Sequence, residues 1–254
     1  MVRLGWDAGH SINTPGKRTP DGEREWTLNN TVGVAFANEL SKYNGVELKR
    51  FDDPTGNTDV PLTTRTNGAN AWKADYYISF HHNANTSQWG TWTGVETFIY
   101  TNPSTKSTAL ANAIHPALVK GYGLRDRGIK KQNLHIVRET KMPAILVEGG
   151  FMDSTIDIKV LRDSAKLKNA GVLMAQAFAK HVGLSLKVTE APKPVEVPKV
   201  DNLKISKDAL RVEAIKEIKA AVADGRFTSP HTDVESYDEA TLQNFFLVAL
   251  ARRK

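Results

Sequence analysis

Cysteine is missing from all 254 residues, so disulfides and thiolate metal sites are excluded, and any zinc must be held by histidine and carboxylate. Long apolar runs are missing too. None approaches the roughly 20 residues of a membrane span, which predicts no membrane insertion. The N-terminus reaches Asp7 too soon for the apolar region of a secretory signal and shows no cleavage site, so synthesis and folding in the cytoplasm are expected. No run of arginine and lysine interleaved with aromatics marks a nucleic-acid groove, and no nucleic-acid partner is expected. No internal repeat recurs at a fixed period.

What is present fits a globular protein. With 40% hydrophobic and 24% charged residues, the chain has material for one sizeable core and a small second domain. The formal charge of +6 is unevenly placed. Residues 201–254 hold nine Lys+Arg and nine Asp+Glu, so the excess lies upstream, where it serves solubility or attraction to a polyanionic surface.

Strand and helix patterns alternate along the first three quarters. Strands are predicted at Val2–Trp6, Val46–Phe51, Asp75–Phe80, Gly94–Tyr100 and Ala144–Val147. Helices are predicted around the stripe Leu28, Val32, Ala35, Phe36 and Leu40, over Leu62–Trp72, over Ser107–Lys120, and over Asp163–Val182. This alternation gives an α/β fold with a mostly parallel sheet covered on both faces. Lys187–Val200 then carries Pro192, Pro194 and Pro198 among Val, Glu and Lys, a semi-rigid spacer reaching about 40 Å if fully polyproline-like.

A small helical module follows. Ser206 is placed to cap a helix striped by Leu210, Ala214, Ile218 and Val222 and ended by Gly225. Ser236 and Glu239 form a capping box ahead of Leu242, Phe245, Phe246, Ala249 and Leu250. About fifty residues without disulfide or metal are marginal alone, so the module is expected to dimerise, dock or bind a ligand.

The chemistry collects at strand ends. Asp7-Ala8-Gly9-His10 closes the first strand, Tyr76–Phe80 runs into His81-His82, and Ala144–Val147 runs into Glu148 followed by Gly149-Gly150. In open α/β sheets the crevice outside the strand ends is the usual ligand site. Glu25 lies three residues before Leu28, on the core-facing stripe of the first helix, an awkward place for a charge without a cation. A catalytic zinc takes three nitrogen or oxygen ligands and keeps a fourth position open, and His10, Glu25 and His81 supply that set. Glu148 is then the candidate for moving protons.

Each residue also has a simpler reading. A histidine at a strand end is often only hydrogen-bonded, and Glu148 has Arg138 as an alternative partner. Glu23 competes with Glu25, and only the phase with Leu28 separates them. His82 is expected on the opposite face of its strand, in a supporting role. His115, His135, His181 and His231 fall outside the group.

At these residues the chain resembles the zinc-dependent N-acetylmuramoyl-L-alanine amidases of the amidase 3 family. Asp7–His10 is similar to the family's Asp-x-Gly-His, and Glu25 with Asn29 to its helix glutamate and asparagine. Ser79-Phe80-His81-His82-Asn83-Ala84 and Pro143–Phe151 are similar to its two later motifs, and Leu62-x-x-Arg65, Ala69-Asn70 and Gly94-Val95-Glu96 also fit. Ser11 stands where the family often has a further glycine. The resemblance covers about residues 1 to 183.

It implies a twisted six-stranded sheet flanked by helices, Zn2+ on His10, Glu25 and His81, and Glu148 as catalytic acid and base. It also implies cleavage of the amide between N-acetylmuramic acid and L-alanine of the peptidoglycan stem peptide. On this reading residues 1–184 form the catalytic domain, 185–200 a proline-rich linker, and 201–254 a helical C-terminal domain for cell-wall targeting or homodimerisation. An endolysin or autolysin of this kind meets the wall after lysis-dependent release. The rival readings are a zinc peptidase cutting within the stem peptide and a non-catalytic wall-binding protein.

Overall fold

The apolar run at the N-terminus forms strand β1, Val2–Ala8, buried throughout from Leu4 onward, as a strand covered on both faces must be. In the computed structural model, residues 1–187, 207–224, 227 and 233–251 are described. The chain divides into two compact units, Met1–Thr189 and Glu190–Lys254. In the first, β1 is followed by α1 (Glu25–Leu40), β2 (Val46–Arg50), α2 (Leu62–Trp72), β3 (Tyr76–Asn83) and β4 (Val95–Ile99). Then come α3 (Thr105–Tyr122), β5 (Asp126–Lys131), α4 (His135–Glu139), β6 (Ala144–Phe151), α5 (Ile158–Leu161) and α6 (Ser164–His181).

The six strands make one sheet in the order β2-β1-β3-β6-β4-β5. Every pairing is parallel except β4 with β6, which is antiparallel. The residue patterns alone predict five of these strands, and the sixth is β5. Its sequence, Asp126-Arg127-Gly128-Ile129-Lys130-Lys131, is charged, half-exposed and interrupted by Gly128 at φ 83°, as suits a short edge strand but hides it from a hydrophobic pattern. The short helices α4 and α5 were not anticipated either, since four or five residues are too few to show a 3.6-residue period.

Side-chain alternation gives the sheet two unlike faces. Leu4, Trp6, Ile78, Phe80, Ile145 and Val147 point to the larger core, closed by α1, α3 and α6. There Phe36 of α1 lies 5.2 Å from the Phe80 ring and 6.4 Å from that of Phe178. Cutting such a buried ring to alanine costs about 3–5 kcal/mol. The other face carries a smaller cluster of Tyr77, Phe98, Ala144 and Leu146 under Ala69 of α2 and Ile136 and Val137 of α4. Beyond this cluster, further along β3 and β6, the same face carries His81 and Glu148 side by side.

Residues 185–187, at the start of the expected linker, stay with this unit: Asn44 N–H donates to the Ser185 carbonyl at 2.8 Å and Lys187 N–H to that of Lys42 at 2.7 Å. The rest of the proline-rich spacer, the Ser206 cap and the Gly225 stop lie outside the described residues. In the second unit α7 (Lys207–Ala223) and α8 (Glu239–Ala251) enclose Ile218, Val234 and Leu242. Ser236 does not stand at the start of α8, where the expected capping box would place it. Ser236 belongs to a 3-10 turn over Val234–Ser236, and the Asp238 carboxylate receives the Thr241 amide at 2.7 Å, one turn into α8.

Candidate metal centre and active site

His10 leaves the end of β1 with φ 66°, the left-handed region that a side chain other than glycine enters only when its surroundings insist. Arg65 of α2 supplies the constraint. Buried to 1% exposure, it donates to the Ala8 carbonyl at 3.0 Å and the His10 carbonyl at 3.3 Å, and through Nε to that of Val60 at 2.9 Å. Its charge is met by Asp7 at 3.5 Å and Asp59 at 3.2 Å. Asp7, wholly buried, also accepts from Tyr77 Oη at 2.8 Å and Ser79 Oγ at 2.5 Å. The turn bearing His10 is thus clamped by a satisfied buried ion pair, the arrangement in which such a pair is tolerated.

Glu25 is the first residue of α1, where the helix dipole favours a carboxylate. Its amide donates to the Lys17 carbonyl at 3.1 Å, tying the helix start to the preceding loop. Oε1 lies 3.1 Å from His81 Nδ1 and Oε2 lies 3.4 Å from His10 Nε2, so each oxygen faces one ring. Asn29, one turn on, donates from Nδ2 to the Gly9 carbonyl at 3.0 Å and to Glu25 Oε1 at 3.3 Å. Gly9 is needed for closeness: a Cβ there would stand 2.0 Å from His81 Cε1.

His10, Glu25 and His81 each offer a ligand atom, all within 4.8 Å of one another. Burial lowers the His10 pKa to about 4, leaving a neutral imidazole with a lone pair to give. Burial works to raise Glu25, but the hydrogen bond and charge of His81 and the charge of His10 outweigh it and hold the carboxyl at about 2. For His81 burial works downward, and the Glu25 hydrogen bond and charge turn the shift upward. Two imidazoles and one carboxylate suit a borderline cation such as Zn2+.

His82 points away from this group into the larger core. Its Nδ1 lies 2.7 Å from Asn29 Oδ1 and its Nε2 2.9 Å from Tyr122 Oη. The Asn29 oxygen can only accept, so His82 carries its proton on Nδ1 and receives the Tyr122 hydroxyl on Nε2. Burial agrees, lowering the His82 pKa to about 3 and raising that of Tyr122. His82 is therefore a neutral brace joining β3 to α1 and α3.

Glu148 sits within β6, in register with His81 on β3. Its Oε2 is buried and has no hydrogen-bond partner among the described residues. Burial raises its pKa to about 8, with His81 opposing and Glu25 reinforcing the shift. Arg138, its alternative partner, pairs instead with Glu139 at 2.6 Å and Asn133 at 2.9 Å. Gly149 beside it leaves room for Tyr122, whose hydroxyl would lie 2.2 Å from any Cβ there.

Of the competing acids, Glu23 precedes α1 and pairs with Arg162 at 3.0 Å, while Glu25 enters the histidine cluster. Two supporting residues have partners that no neighbouring sequence announces: Arg65, matched only as part of Leu62-x-x-Arg65, meets Ala8 across 57 positions, and Tyr122 meets His82 across 40, so folding alone reveals their roles.

The chain is similar in sequence and fold to known proteins. The N-acetylmuramoyl-L-alanine amidase CwlM of Bacillus licheniformis is 37% identical over 188 residues, covering 73% of this chain and 70% of that protein. An endolysin of Bacillus phage SPP1 is 30% identical over 206 residues, covering 78% and 73%. The solved catalytic domain of the amidase CwlV from Bacillus (Paenibacillus) polymyxa var. colistinus superposes with a TM-score of 0.66 at 26% identity, covering 73% of this chain and all of that one. The amidase 3 model, described as N-acetylmuramoyl-L-alanine amidase, matches residues 6–180, which hold all four site residues, and by that match this chain belongs to the amidase 3 family of peptidoglycan hydrolases.

Proposed function

We propose that His10, Glu25 and His81 hold a zinc ion and that Glu148 is the acid and base that cleaves the amide between the lactyl group of N-acetylmuramic acid and L-alanine. The observation that carries this reading is the buried, unpartnered Oε2 of Glu148 on the strand beside His81. A buried carboxylate oxygen with nothing to bond is costly unless a substrate or water meets it. When bound, zinc supplies Lewis acidity, lowering the pKa of water to about 7 and polarising the scissile carbonyl.

The chain's own groups do the rest. Glu148, whose pKa burial lifts to about 8, titrates close to neutrality. It takes the proton of the attacking water as base and returns it as acid to the leaving nitrogen of L-alanine. The His10 backbone is held by Arg65, Glu25 by Asn29, and His81 by Glu25, so the site is organised before substrate arrives.

Residues 1–184 serve as the catalytic domain in this reading, 185–200 as linker and 201–254 as a unit for wall attachment or self-association. No helix among the described residues is long and apolar enough to cross a membrane. Peptidoglycan, reached after release by lysis, is the proposed partner, in keeping with the endolysin relative.

The test is digestion of purified peptidoglycan before and after chelation, followed by zinc restoration and mass spectrometry of the released termini. Chelator-sensitive release of L-alanine amines with free lactyl groups is expected. Cuts further along the stem peptide, or digestion indifferent to chelation, would overturn the assignment.

A further inference from the structure

The catalytic acid belongs to a row of side chains that crosses four strands. Glu148 on β6 lies opposite His81 on one side and opposite Glu96 of β4 on the other. Residues directly opposite on paired strands project from the same face. Glu96 is 3% exposed and is bound by two cations of β5: Arg127 through Nε, and Lys130 at 2.8 Å. Lys130 stands one residue beyond Ile129, which packs on the larger core, so it projects with Glu96 on the crevice face. The row runs His81, Glu148, Glu96, then the Arg127 and Lys130 pair.

Two features make the far end a candidate seat for an anion. One buried carboxylate faces two cations, which leaves one positive charge in surplus. The cations are also partly open, with side-chain exposures of 30% for Arg127 and 38% for Lys130. The Arg127 guanidinium leans back toward β6, with Cζ 5.0 Å from the Phe151 ring, so ring and ion pair fix it from two directions. Only Nε of Arg127 is engaged among the described residues, and the outer edge of the fork remains for a ligand.

We propose that Arg127 and Lys130 bind the free carboxylate carried by the second residue of the stem peptide, the D-glutamate that follows L-alanine. This rests on the amidase reading, which places the scissile nitrogen beside Glu148. Strands lie about 4.8 Å apart, so the β5 side chains spring from a line about 10 Å from Glu148, and Arg127 reaches back toward it. A carboxylate two residues from the scissile nitrogen lies at most about 7 Å away along an extended chain, within that reach. A carboxamide at the same place offers these cations no charge, so the subsite discriminates D-glutamate from D-isoglutamine.

The experiment uses the full chain with two muramoyl peptides that differ only in the second residue, D-glutamate or D-isoglutamine. Wild type is expected to favour the acid by about tenfold in kcat/KM, expressed in KM. Arg127→Gln with Lys130→Gln should bring the ratio close to one. Because that pair strands Glu96, a triple variant adding Glu96→Gln provides the same test without an unpaired buried charge, and its ratio should also fall close to one. Equal cleavage of both peptides by wild type, or a preference that survives in the folded triple variant, overturns the subsite. Failure to cleave either peptide despite bound zinc overturns the amidase reading itself, an outcome distinct from indifference between the two.

Discussion

His81 and Glu148 face each other in register on neighbouring parallel strands, so the second histidine of the metal group and the buried acid are spaced by the sheet rather than by loops. Such a spacing is stiff, and replacing one side chain leaves the other in place. Glu148→Gln, of nearly the same shape, should lower turnover on peptidoglycan by about 10²–10⁴-fold while zinc content stays at the wild-type level. Turnover and elemental analysis on one preparation decide it. A variant with near wild-type turnover would remove Glu148 from the chemistry.

Arg65 should tune metal affinity without touching the metal. Its bonds to the Ala8 and His10 carbonyls hold the left-handed backbone on which His10 depends. Arg65→Met fills the same space but frees both carbonyls and strands Asp7. Zinc affinity, measured by competition with a chromophoric chelator, should fall about 10–100-fold. Thermal stability should fall too, by about 3–5 kcal/mol, the usual cost of breaking a buried pair. Lost stability with unchanged zinc affinity would make Arg65 a core residue only.

Chelated protein should show the Glu148 carboxyl in its stability profile. Its folded pKa of about 8 exceeds the ordinary 4.5, so the folded chain holds a proton that the unfolded chain has released. The stabilisation is complete below pH 4.5 and is lost as pH rises through 8. His10, lowered to about 4 from 6.5, acts oppositely, adding stability as pH rises between those values. Urea unfolding of chelated wild type and chelated Glu148→Gln from pH 5 to 9 separates the two, because the variant lacks only the first. The variant should gain on wild type steadily up to pH 8. Parallel profiles would contradict the raised pKa.

The second unit should associate through its apolar surface. Leu210 and Leu247 are 50% and 45% exposed, and both line a cavity of about 350 Å³ with Ala214, Leu242 and Phe246. A two-helix unit of this size buries too little to be stable alone. Leu210→Glu with Leu247→Glu should shift sedimentation of the full chain toward monomer if it self-associates there, or weaken cosedimentation with cell walls if the surface meets the wall. Neither property changing would deny the surface a role.

Where a function depends on a local run of residues, the sequence could be read. Gly9-His10 and Glu25 sit at a strand end and a helix start that the hydrophobic pattern locates, whereas His81 and Glu148, expected to close their strands, lie inside β3 and β6, which run on past the apolar residues. Helix α2 was read over its observed span, Leu62–Trp72. The phase with Leu28 separates Glu25 from Glu23 in the sequence, and in the structure only Glu25 belongs to α1. What escaped depends on partners distant in the chain or on exposed elements. Strand β5 is charged because its side chains serve Glu96 and the surface, and Asp238 displaced Ser236 as cap because a 3-10 turn intervenes. Leu62-x-x-Arg65 marks the residue, but its clamp on the Ala8 and His10 carbonyls is a tertiary event that the motif does not reveal.

The single antiparallel pairing in the sheet, β4 with β6, has a consequence for how this crevice can vary. Parallel strands deliver only their final residues to one rim. Because β4 runs against β6, and β5 follows β4, the rim also receives the opening residues of two strands, and those residues come from a different stretch of chain than the proposed metal ligands. Changes around 95–96 and 126–130 can therefore reshape one end of the cleft while the turn bearing His10 and the strands bearing His81 and Glu148 stay as they are. Such an arrangement allows preference among wall chemistries to drift independently of the hydrolytic centre.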